Sequence, residues 1–313
     1  MRIVALGSGG VGGFYGGLIA AAGTASVAFV ARGAHLRAMR DHGLTIERDG
    51  GRPTLHVPNP VVAEDPAELG PADIVLLGVK LGDTEAATRA ARPLVEGGAA
   101  IVSLQNGVTK DDALREAFGP APVLGGVAYV ASHVARPGVI AQTGPMARLL
   151  VGEHDGRRSG RAGALAEAAR AAGVDAAVPP DIGVAMWQKF VFLVGLSGAT
   201  ATMRLPIGPI RDDPRARAFL RGLMEEAGAV GRAGGIALPA GEVDAAMARA
   251  DAVSPAMTSS LHHDLEAGRP LEMPWLSGTV AGLGERQGIP TPCNAAVRAI
   301  LSPRVGGWPD GAR

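Results

Sequence analysis

The segment between Arg2 and Arg32 constrains the fold of this chain most, because it carries no charged residue over 29 positions. Its length would allow a membrane-spanning helix, and its position would allow a signal peptide. However, eight of these 29 residues are glycine, and such a composition makes a poor apolar helix. The segment therefore favours a buried strand, a glycine-rich turn, a helix and a second strand, with a membrane span or signal peptide as the alternatives.

The glycines of this segment have the spacing of a dinucleotide-binding motif. Gly7, Gly9 and Gly12 form G-x-G-x-x-G directly after the first predicted strand and at the start of the predicted helix, which is the context the motif requires. The three glycines allow a tight turn, close approach to a pyrophosphate and helix–strand packing. The helix N-terminus favours anions, so we expect the cofactor phosphates to be bound by the whole run: Gly7, Ser8, Gly9, Gly10, Val11 and Gly12.

The end of the second predicted strand bears on the choice of cofactor. An NAD site usually has Asp or Glu there, which bonds the ribose 2′-hydroxyl. This chain has Arg32, 20 residues after Gly12. An arginine can pair with a 2′-phosphate, which a carboxylate would repel. The sequence therefore favours NADP over NAD, and the alternative is an ordinary surface arginine at a strand end.

Length and composition limit the class of protein. A chain of 313 residues with 47% apolar residues suits two domains with real cores. Basic and acidic residues number 30 each, so charge gives no reason to expect nucleic acid or a membrane as a partner. The single cysteine, Cys293, excludes an internal disulfide. A cytoplasmic location fits, although a secreted protein without disulfides remains open.

The chain divides near Pro179 and Pro180. Before them, the buried strands within 72–80 and 98–107 end in polar residues, and ligands of an open parallel sheet bind at such carboxyl ends. Two later strands suggest a hairpin that turns at 136–138. After the prolines the pattern predicts helices over 181–203, 212–234, 240–250, 255–267, 272–287 and 292–301, and a frayed tail over 302–313. The predicted fold class is α/β, with an N-terminal Rossmann-type dinucleotide-binding domain (1–179) followed by an all-helical C-terminal domain (180–313).

The stretch MWQKFVFLVGLSGATA of the first predicted helix contains one charge, Lys189, and 14 uncharged residues follow it before Arg204. An apolar segment must let such a lysine reach water, pair it, or use it in the function of the protein. Snorkelling is feasible because Lys189 lies only about two turns into its helix.

Several motifs together resemble those of the ketopantoate reductase (2-dehydropantoate 2-reductase) family. They are GSGGVGGFYGGLIAAAG, ARGAHLRAMRDHGLTI, VLLGVK, SLQNGV, WQKF, ATATMRLPIGPIRDD, SSLHHDLEAGRPLE and ERQGIPTPCNAAV. The resemblance implies a Rossmann domain and a helical domain with the active site in the cleft between them. It also implies NADPH-dependent reduction of a 2-keto acid, in the first instance 2-dehydropantoate to pantoate in pantothenate biosynthesis.

The resemblance assigns roles to individual residues. Lys189 matches the general acid that protonates the ketone oxygen, a role suited to a cation beside a developing alkoxide. Ser260 matches a substrate contact, and Glu272 matches an active-site glutamate that bonds the substrate hydroxyl and orders the lysine. Asn106 matches a residue that touches nicotinamide and substrate, and Lys80 lies on the cofactor side. The alternatives are strand-end turn residues for Asn106 and Lys80, and a helix-start acid for Glu272.

No metal is expected. His262 and His263 are adjacent, so their side chains diverge on a helix and do not easily share one ion. The expected partners are a small keto acid and, through the helical substrate and dimerisation domain, a second copy of the chain.

The sequence also departs from the family. Two asparagines usually follow the catalytic lysine by four and eight residues, and here those substrate-binding positions are Leu193 and Ser197. Leu271 and Pro274 stand where the family tends to have Thr and Asp. A site lacking such polar groups discriminates differently among substrates. Three alternatives therefore remain: a reductase of a less polar keto acid, an NADPH-binding sensor without turnover, and a 3-hydroxy acid or opine-type dehydrogenase.

Overall fold

The computed structural model describes residues 1–308. Its contacts divide the chain into two compact units. The first comprises Met1–Gln105 and Lys110–Ile182, and the second comprises Asn106–Thr109 and the chain from Gly183 onward. The division therefore falls after Ile182, close to the predicted boundary at 179/180, and assigns one short loop of the N-terminal half to the second unit.

The first unit is built on a mixed sheet that has ten strands within the described residues. In chain order they are β1 (Arg2–Leu6), β2 (Ser26–Val30), β3 (Leu44–Arg48), β4 (Leu55–Val57), β5 (Val61–Ala63), β6 (Ile74–Leu77), β7 (Ala100–Ser103), β8 (Val123–Arg136), β9 (Val139–Glu153) and β10 (Asp175–Ala177). Their order is β4-β3-β9-β8-β7-β6-β1-β2-β5, and β10 pairs with β9. The predicted Rossmann-type fold is confirmed.

Neighbouring strands from β5 to β8 in this order are parallel, whereas β8 and β9 form an antiparallel hairpin. The hairpin turns between Arg136 and Val139, as predicted. The chain runs from β1 outward to β2 and β5, and then returns to β6 and β7 on the other side of β1. This reversal between β1 and β6 is the place where open α/β sheets bind nucleotides.

Helices cover both faces of this sheet. They are α1 (Gly10–Ala22), α2 (Gly33–His42), α3 (Thr84–Glu96), α4 (Asp112–Phe118) and α5 (Gly160–Ala171). Ile3 and Ala5 of β1 belong to one buried core with α1 and α5, while Val4 and Leu6 belong to a second core with α3 and α4. Because successive side chains of a strand point to opposite faces, β1 must be apolar throughout.

The second unit is helical in the part of the chain that the structure describes. Its helices are α6 (Ile182–Met203), α7 (Ile207–Asp212), α8 (Pro214–Ala233), α9 (Glu242–Ala252), α10 (Ser260–Glu266), α11 (Ser277–Gln287) and α12 (Pro292–Leu301). They share one apolar core, in which Phe190, Val191 and Val194 of α6 are central and buried.

Some predicted helix bounds were wrong. The predicted helix 255–267 is only α10, because the side chain of Ser259 caps it by accepting a hydrogen bond from His262 N. Helix 272–287 is a 3₁₀ segment (Met273–Trp275) followed by α11. Asp213 caps α8, and the sequence reasoning missed α7 before it. Strands β3, β4, β5 and β10 were also not predicted.

The prediction of a frayed tail was wrong for residues 302–308. Residues Ser302–Arg304 form a 3₁₀ turn, and Trp308 Nε1 donates a hydrogen bond of 3.0 Å to Leu265 O. The remainder of that prediction, residues 309–313, lies outside the described residues.

The two charge-poor segments of the chain have different structures. The N-terminal one is β1, α1 and β2, so it contains no single long helix. By length and composition α6 could cross a membrane, but 67% of its apolar window is buried inside the protein. This degree of burial is typical of a core helix, and α6 contributes to the apolar core of the helical unit.

Candidate active site

The glycine-rich loop after β1 is shaped by backbone contact. Gly7 has φ +93°, a conformation that favours glycine. A Cβ on Gly12 would lie 2.3 Å from Gly7 O, and one on Gly78 would lie 2.8 Å from Gly12 Cα. Glycine is therefore required at all three positions if α1 is to start this close to β1 and β6.

Gly9 differs from its neighbours because its Cβ position faces open space. A Cβ there would meet nothing within 4 Å, whereas one on Gly10 would lie 2.4 Å from Ser132 O. Gly9 is also the N-cap of α1 and offers no side chain to the first-turn amides. The open side of the loop can thus accept an anionic group against backbone N–H groups. This cradle fits a dinucleotide pyrophosphate.

Arg32 is the exposed N-cap of α2. It lines a surface depression together with Glu64, Asp65, Pro66, Glu68 and Ala90. The Asp65 carboxylate is engaged in capping, since it accepts a hydrogen bond of 2.9 Å from Ala67 N. The depression therefore contains one guanidinium, and the carboxylates nearby weaken its net attraction for an anion.

The ends of β6 and β7 are tied together by Gln105. Its Nε2 donates to Thr84 Oγ1 at 2.8 Å and to Lys80 O at 3.3 Å, while its Oε1 accepts from Ser103 Oγ at 2.8 Å. Gln105 is buried and Lys80 is exposed. The buried side chain of Gln105 thus holds the main chain of Lys80 close to the residue that precedes Asn106.

The loop Asn106–Thr109 carries the central contact of the site. Lys189 Nζ donates a hydrogen bond of 2.9 Å to Asn106 Oδ1, and both residues are half-buried. Gly107 has φ +88°, and a Cβ there would lie 3.1 Å from Trp275 O. Glycine at this position allows the loop to lie against the 3₁₀ segment that follows Glu272. The amine of α6 is therefore held at Asn106, the first residue of this loop.

The base of this loop is closed by a buried ion pair. Lys110 Nζ donates to Ser103 O and to Asp111 Oδ1, each at 2.9 Å, and the lysine side chain is 1% exposed. His154 Nε2 lies 3.2 Å from Asp111 Oδ2. Lys110 directly follows the loop, and its bond to Ser103 O connects it to the last residue of β7. The two ends of the Asn106 loop are therefore held close together.

These charges affect the ionisation of Asp111. Burial by itself raises the pKa of this carboxyl, but the Lys110 ammonium, which also donates a hydrogen bond, and the nearby His154 ring outweigh burial, so the pKa of Asp111 is lowered. The carboxylate is therefore held in its ionised form.

Leu193 and Ser197 follow Lys189 by one and two turns on α6. Leu193 is half-buried and packs against the helical core. Ser197 is buried, and its hydroxyl donates to Leu193 O at 2.6 Å. The Ser197 hydroxyl is thus bonded within its own helix.

The remaining predicted site residues lie on short elements. Ser260 is exposed at the first position of α10. Glu272 is buried directly before the 3₁₀ segment whose Trp275 carbonyl faces Gly107. The rings of His262 and His263 are perpendicular, and their nitrogens contact different partners, Thr200 O and Thr258 Oγ1.

Sequence reasoning missed four residues that shape the site. Gly78 accommodates Gly12, His35 contacts the glycine-rich loop, and Lys110 with Asp111 closes the Asn106 loop. One signal was available for Lys110. Only three of the chain's 30 basic residues are lysines. In a chain that otherwise uses arginine, a lysine marks a position where the compact ammonium can matter.

The first unit, with its glycine-rich loop at the reversal of the sheet, defines a protein with a dinucleotide-binding fold. The sequence profile described as "Ketopantoate reductase PanE/ApbA" matches residues 3–156, and the profile described as "Ketopantoate reductase PanE/ApbA C terminal" matches residues 181–304. The chain belongs to the ketopantoate reductase family of oxidoreductases.

Individual relatives cover nearly the whole chain. The 2-dehydropantoate 2-reductase of Mesorhizobium japonicum is 33% identical over 96% of this chain and 97% of its own length. That of Halobacterium salinarum is 30% identical over 93% and 95%. The crystal structure of 2-dehydropantoate 2-reductase from Geobacter metallireducens matches with a TM-score of 0.89 and 33% identity, covering 97% of this chain and 99% of that one.

Gly12→Ala and Gly9→Ala should separate packing from ligand binding. The methyl group at position 12 would contact Gly7 O, so we expect Gly12→Ala to lower the free energy of unfolding by about 1–3 kcal/mol. Gly9→Ala should cost less than about 1 kcal/mol, the scale of a poorer N-cap, yet weaken NADPH binding because its methyl fills the open cradle. Urea unfolding and cofactor titration measure the two effects. Equal destabilisation by both changes would contradict the assignment of Gly9 to the ligand side.

Asp111→Asn should reduce stability in a pH-dependent way. Because the pKa of Asp111 is lower in the folded state, its ionised form contributes stability above the unfolded pKa of about 3.9, and this is lost as pH falls through the folded pKa. Removing one partner of a buried pair should cost about 3 kcal/mol at neutral pH. The difference from wild type should then narrow below about pH 4. Urea unfolding from pH 3 to 7 tests this, with the exposed Asp155→Asn as control; a constant difference would refute it.

Proposed function

We propose that this protein catalyses NADPH-dependent reduction of a 2-keto acid, with 2-dehydropantoate as substrate and pantoate as product. Membership of the ketopantoate reductase family supports the reaction class, and the relatives from Mesorhizobium japonicum and Halobacterium salinarum bear the name of this activity. The observation that carries the proposal is the hydrogen bond of 2.9 Å between Lys189 Nζ and Asn106 Oδ1. A cytoplasmic location and a homodimer stay predictions.

The cofactor is proposed to be held by main-chain and side-chain groups of the first unit. The amides of the loop Gly7–Gly12 receive the pyrophosphate at the start of α1, and Arg32 receives the 2′-phosphate. Lys80 and Asn106, at the ends of the next two strands, face the nicotinamide side. When bound, NADPH supplies the hydride that is transferred to the carbonyl carbon of the substrate.

Lys189 is proposed to act as the general acid. As the carbonyl carbon accepts hydride, negative charge develops on the carbonyl oxygen, and the ammonium stabilises that charge. Transfer of a proton from Nζ to the oxygen yields the alcohol and leaves a neutral amine, which regains a proton from solvent. Asn106 supports this role because its Oδ1 accepts a hydrogen bond from one of the three N–H groups of the ammonium. This bond limits the directions in which the other two N–H groups can point.

Glu272 and Ser260 are proposed to bind polar groups of the substrate. Glu272 is suited to accept a hydrogen bond from the substrate hydroxyl, since it is a buried carboxylate at the start of the segment that contacts Gly107. Ser260 offers an exposed hydroxyl at the start of α10 for the substrate carboxylate or its neighbourhood.

A second candidate is reduction of a less polar 2-keto acid by the same chemistry. Two observations favour it: Leu193 presents an aliphatic side chain one turn after Lys189, and Ser197 bonds its own helix. A substrate hydroxyl would then lack two amide partners, each worth about 0.5–1.5 kcal/mol.

Steady-state turnover with NADPH and a panel of 2-keto acids tests the proposal. We expect ketopantoate to be reduced, and Lys189→Ala to lower kcat by roughly 100-fold or more while NADPH binding stays near normal. Higher kcat/KM for an aliphatic keto acid without a hydroxyl would favour the second candidate. Near-normal turnover by Lys189→Ala would refute its role as general acid.

Lys189→Arg serves as the matched control for charge. Arginine keeps a cation at this position but does not release a proton in the accessible pH range. If Lys189→Arg turns over as slowly as Lys189→Ala, the loss of kcat is due to lost proton donation. If arginine restores kcat, the loss is due to lost electrostatic stabilisation alone.

Arg32→Asp should shift cofactor preference from NADPH towards NADH, because a carboxylate repels the 2′-phosphate and accepts a bond from the 2′-hydroxyl. Titration of wild type and variant with both cofactors measures the shift, and Arg37→Asp, an exposed change on the same helix, controls for net charge. The carboxylates of Glu64 and Glu68 in the same depression limit the wild-type preference. Equal wild-type affinity for NADH and NADPH would overturn the role of Arg32.

A further inference from the structure

His35 makes two hydrogen bonds that the roles above do not use. Its Nδ1 accepts from Gly138 N at 3.0 Å, so the ring proton is on Nε2, which lies 2.9 Å from Ser8 O and donates to it. Burial lowers the pKa of His35, against the opposing effect of the bond to Ser8, and this favours the neutral ring that the two bonds require.

The ring is anchored on a rigid support. Gly138 is a buried residue in the turn of the β8–β9 hairpin, and a Cβ there would lie 3.1 Å from Ala38 Cβ. His35 and Ala38 are three residues apart on α2 and therefore share a helix face. This face packs on the hairpin turn, which fixes the position from which His35 reaches the glycine-rich loop.

The bond to Ser8 determines the direction of the next amide. A trans peptide is planar, so its C=O and the following N–H point in opposite directions. With Ser8 O directed at His35, Gly9 N–H must point away from His35. On the other side of the residue, Ser8 N donates to Val30 O at 2.9 Å, so Ser8 is held at both its N–H and its C=O.

We propose that His35 is a positioning residue for the dinucleotide site, which aims the Gly9 amide at the cofactor pyrophosphate by holding the Ser8 carbonyl. The inference rests on the proposed dinucleotide function. Without His35, the Ser8 carbonyl loses the bond that sets its direction, and the backbone of Gly9 allows the Ser8–Gly9 peptide to tilt because glycine has few steric restrictions.

Three variants separate this role from general support of the fold. His35→Ala removes both hydrogen bonds. In His35→Gln the side-chain Nε2 donor occupies the place of the imidazole Nε2 and can reach Ser8 O. In His35→Asn the side-chain acceptor takes the place of Nδ1 and can reach only Gly138 N. The control is His56→Ala, since His56 bonds Thr45 in the same unit and not the loop.

Dissociation constants for NADPH and for adenosine 2′-monophosphate, which carries the 2′-phosphate but no pyrophosphate, provide the readout. We expect His35→Ala and His35→Asn to bind NADPH roughly 3- to 10-fold more weakly, the scale of one lost hydrogen bond. Gln should restore NADPH binding to within about 2-fold of wild type, a difference well below one hydrogen bond. Binding of adenosine 2′-monophosphate should be unchanged in all three variants.

Wild-type NADPH affinity in His35→Ala would overturn the inference. So would equal weakening of both ligands, or Asn restoring binding as well as Gln, because each points to support of the fold rather than aim of the Gly9 amide. A wild-type protein that binds no NADPH would instead overturn the proposed function. In that event, an unchanged NMR chemical shift of the Gly9 amide in His35→Ala would overturn the inference as well, and a change that His35→Gln restores would support it.

Discussion

Close backbone packing where β1, α1 and β6 meet is the constraint on which the rest of the site depends. Gly7, Gly12 and Gly78 lack side chains where any Cβ would come within 3 Å of a neighbouring atom. This packing brings the N-terminus of α1 onto the carboxyl ends of the two central strands. The fold therefore creates an electropositive backbone surface without a charged side chain, which explains why so long a segment of the chain can remain free of charge.

The parts of the fold that the sequence could predict are those with local signals. The bounds of α6 and α12, the strand–glycine–helix start and the hairpin turn were predicted to within one or two residues because apolar runs, glycines and prolines mark them. Strands β4, β5 and β10 have three residues each and are fixed by pairing with distant partners, so they have no local signal. The helix 255–267 was predicted too long because the capping bond from His262 N to Ser259 Oγ, which starts α10, is not visible in the sequence.

The candidate site shows the same division. The glycine motif, Arg32 and Lys189 were recognisable by type and position in the chain. His35 and Gly78 act through contacts with Ser8 and Gly12, which are 27 and 66 positions away in the sequence. Asp111 pairs with the adjacent Lys110, but its burial is not visible in a single sequence. Lysine usage is an exception. The surface ion pairs at Arg89, Arg217 and Arg298 all use arginine, whereas Lys110 and Lys189 lie where one compact ammonium donates to specific oxygens.

The polar groups of α6 limit how this helix can recognise a substrate. Its three hydroxyl residues, Ser197, Thr200 and Thr202, each donate to the carbonyl four residues earlier, at 2.6–2.7 Å. These bonds satisfy the hydroxyls inside an apolar helix and leave their donors unavailable to a ligand. Beyond Lys189, α6 therefore offers a ligand mainly aliphatic surface at Leu193. If the proposed substrate is correct, selection for its hydroxyl falls to Asn106, Ser260 and Glu272, which lie on loops and short elements outside α6.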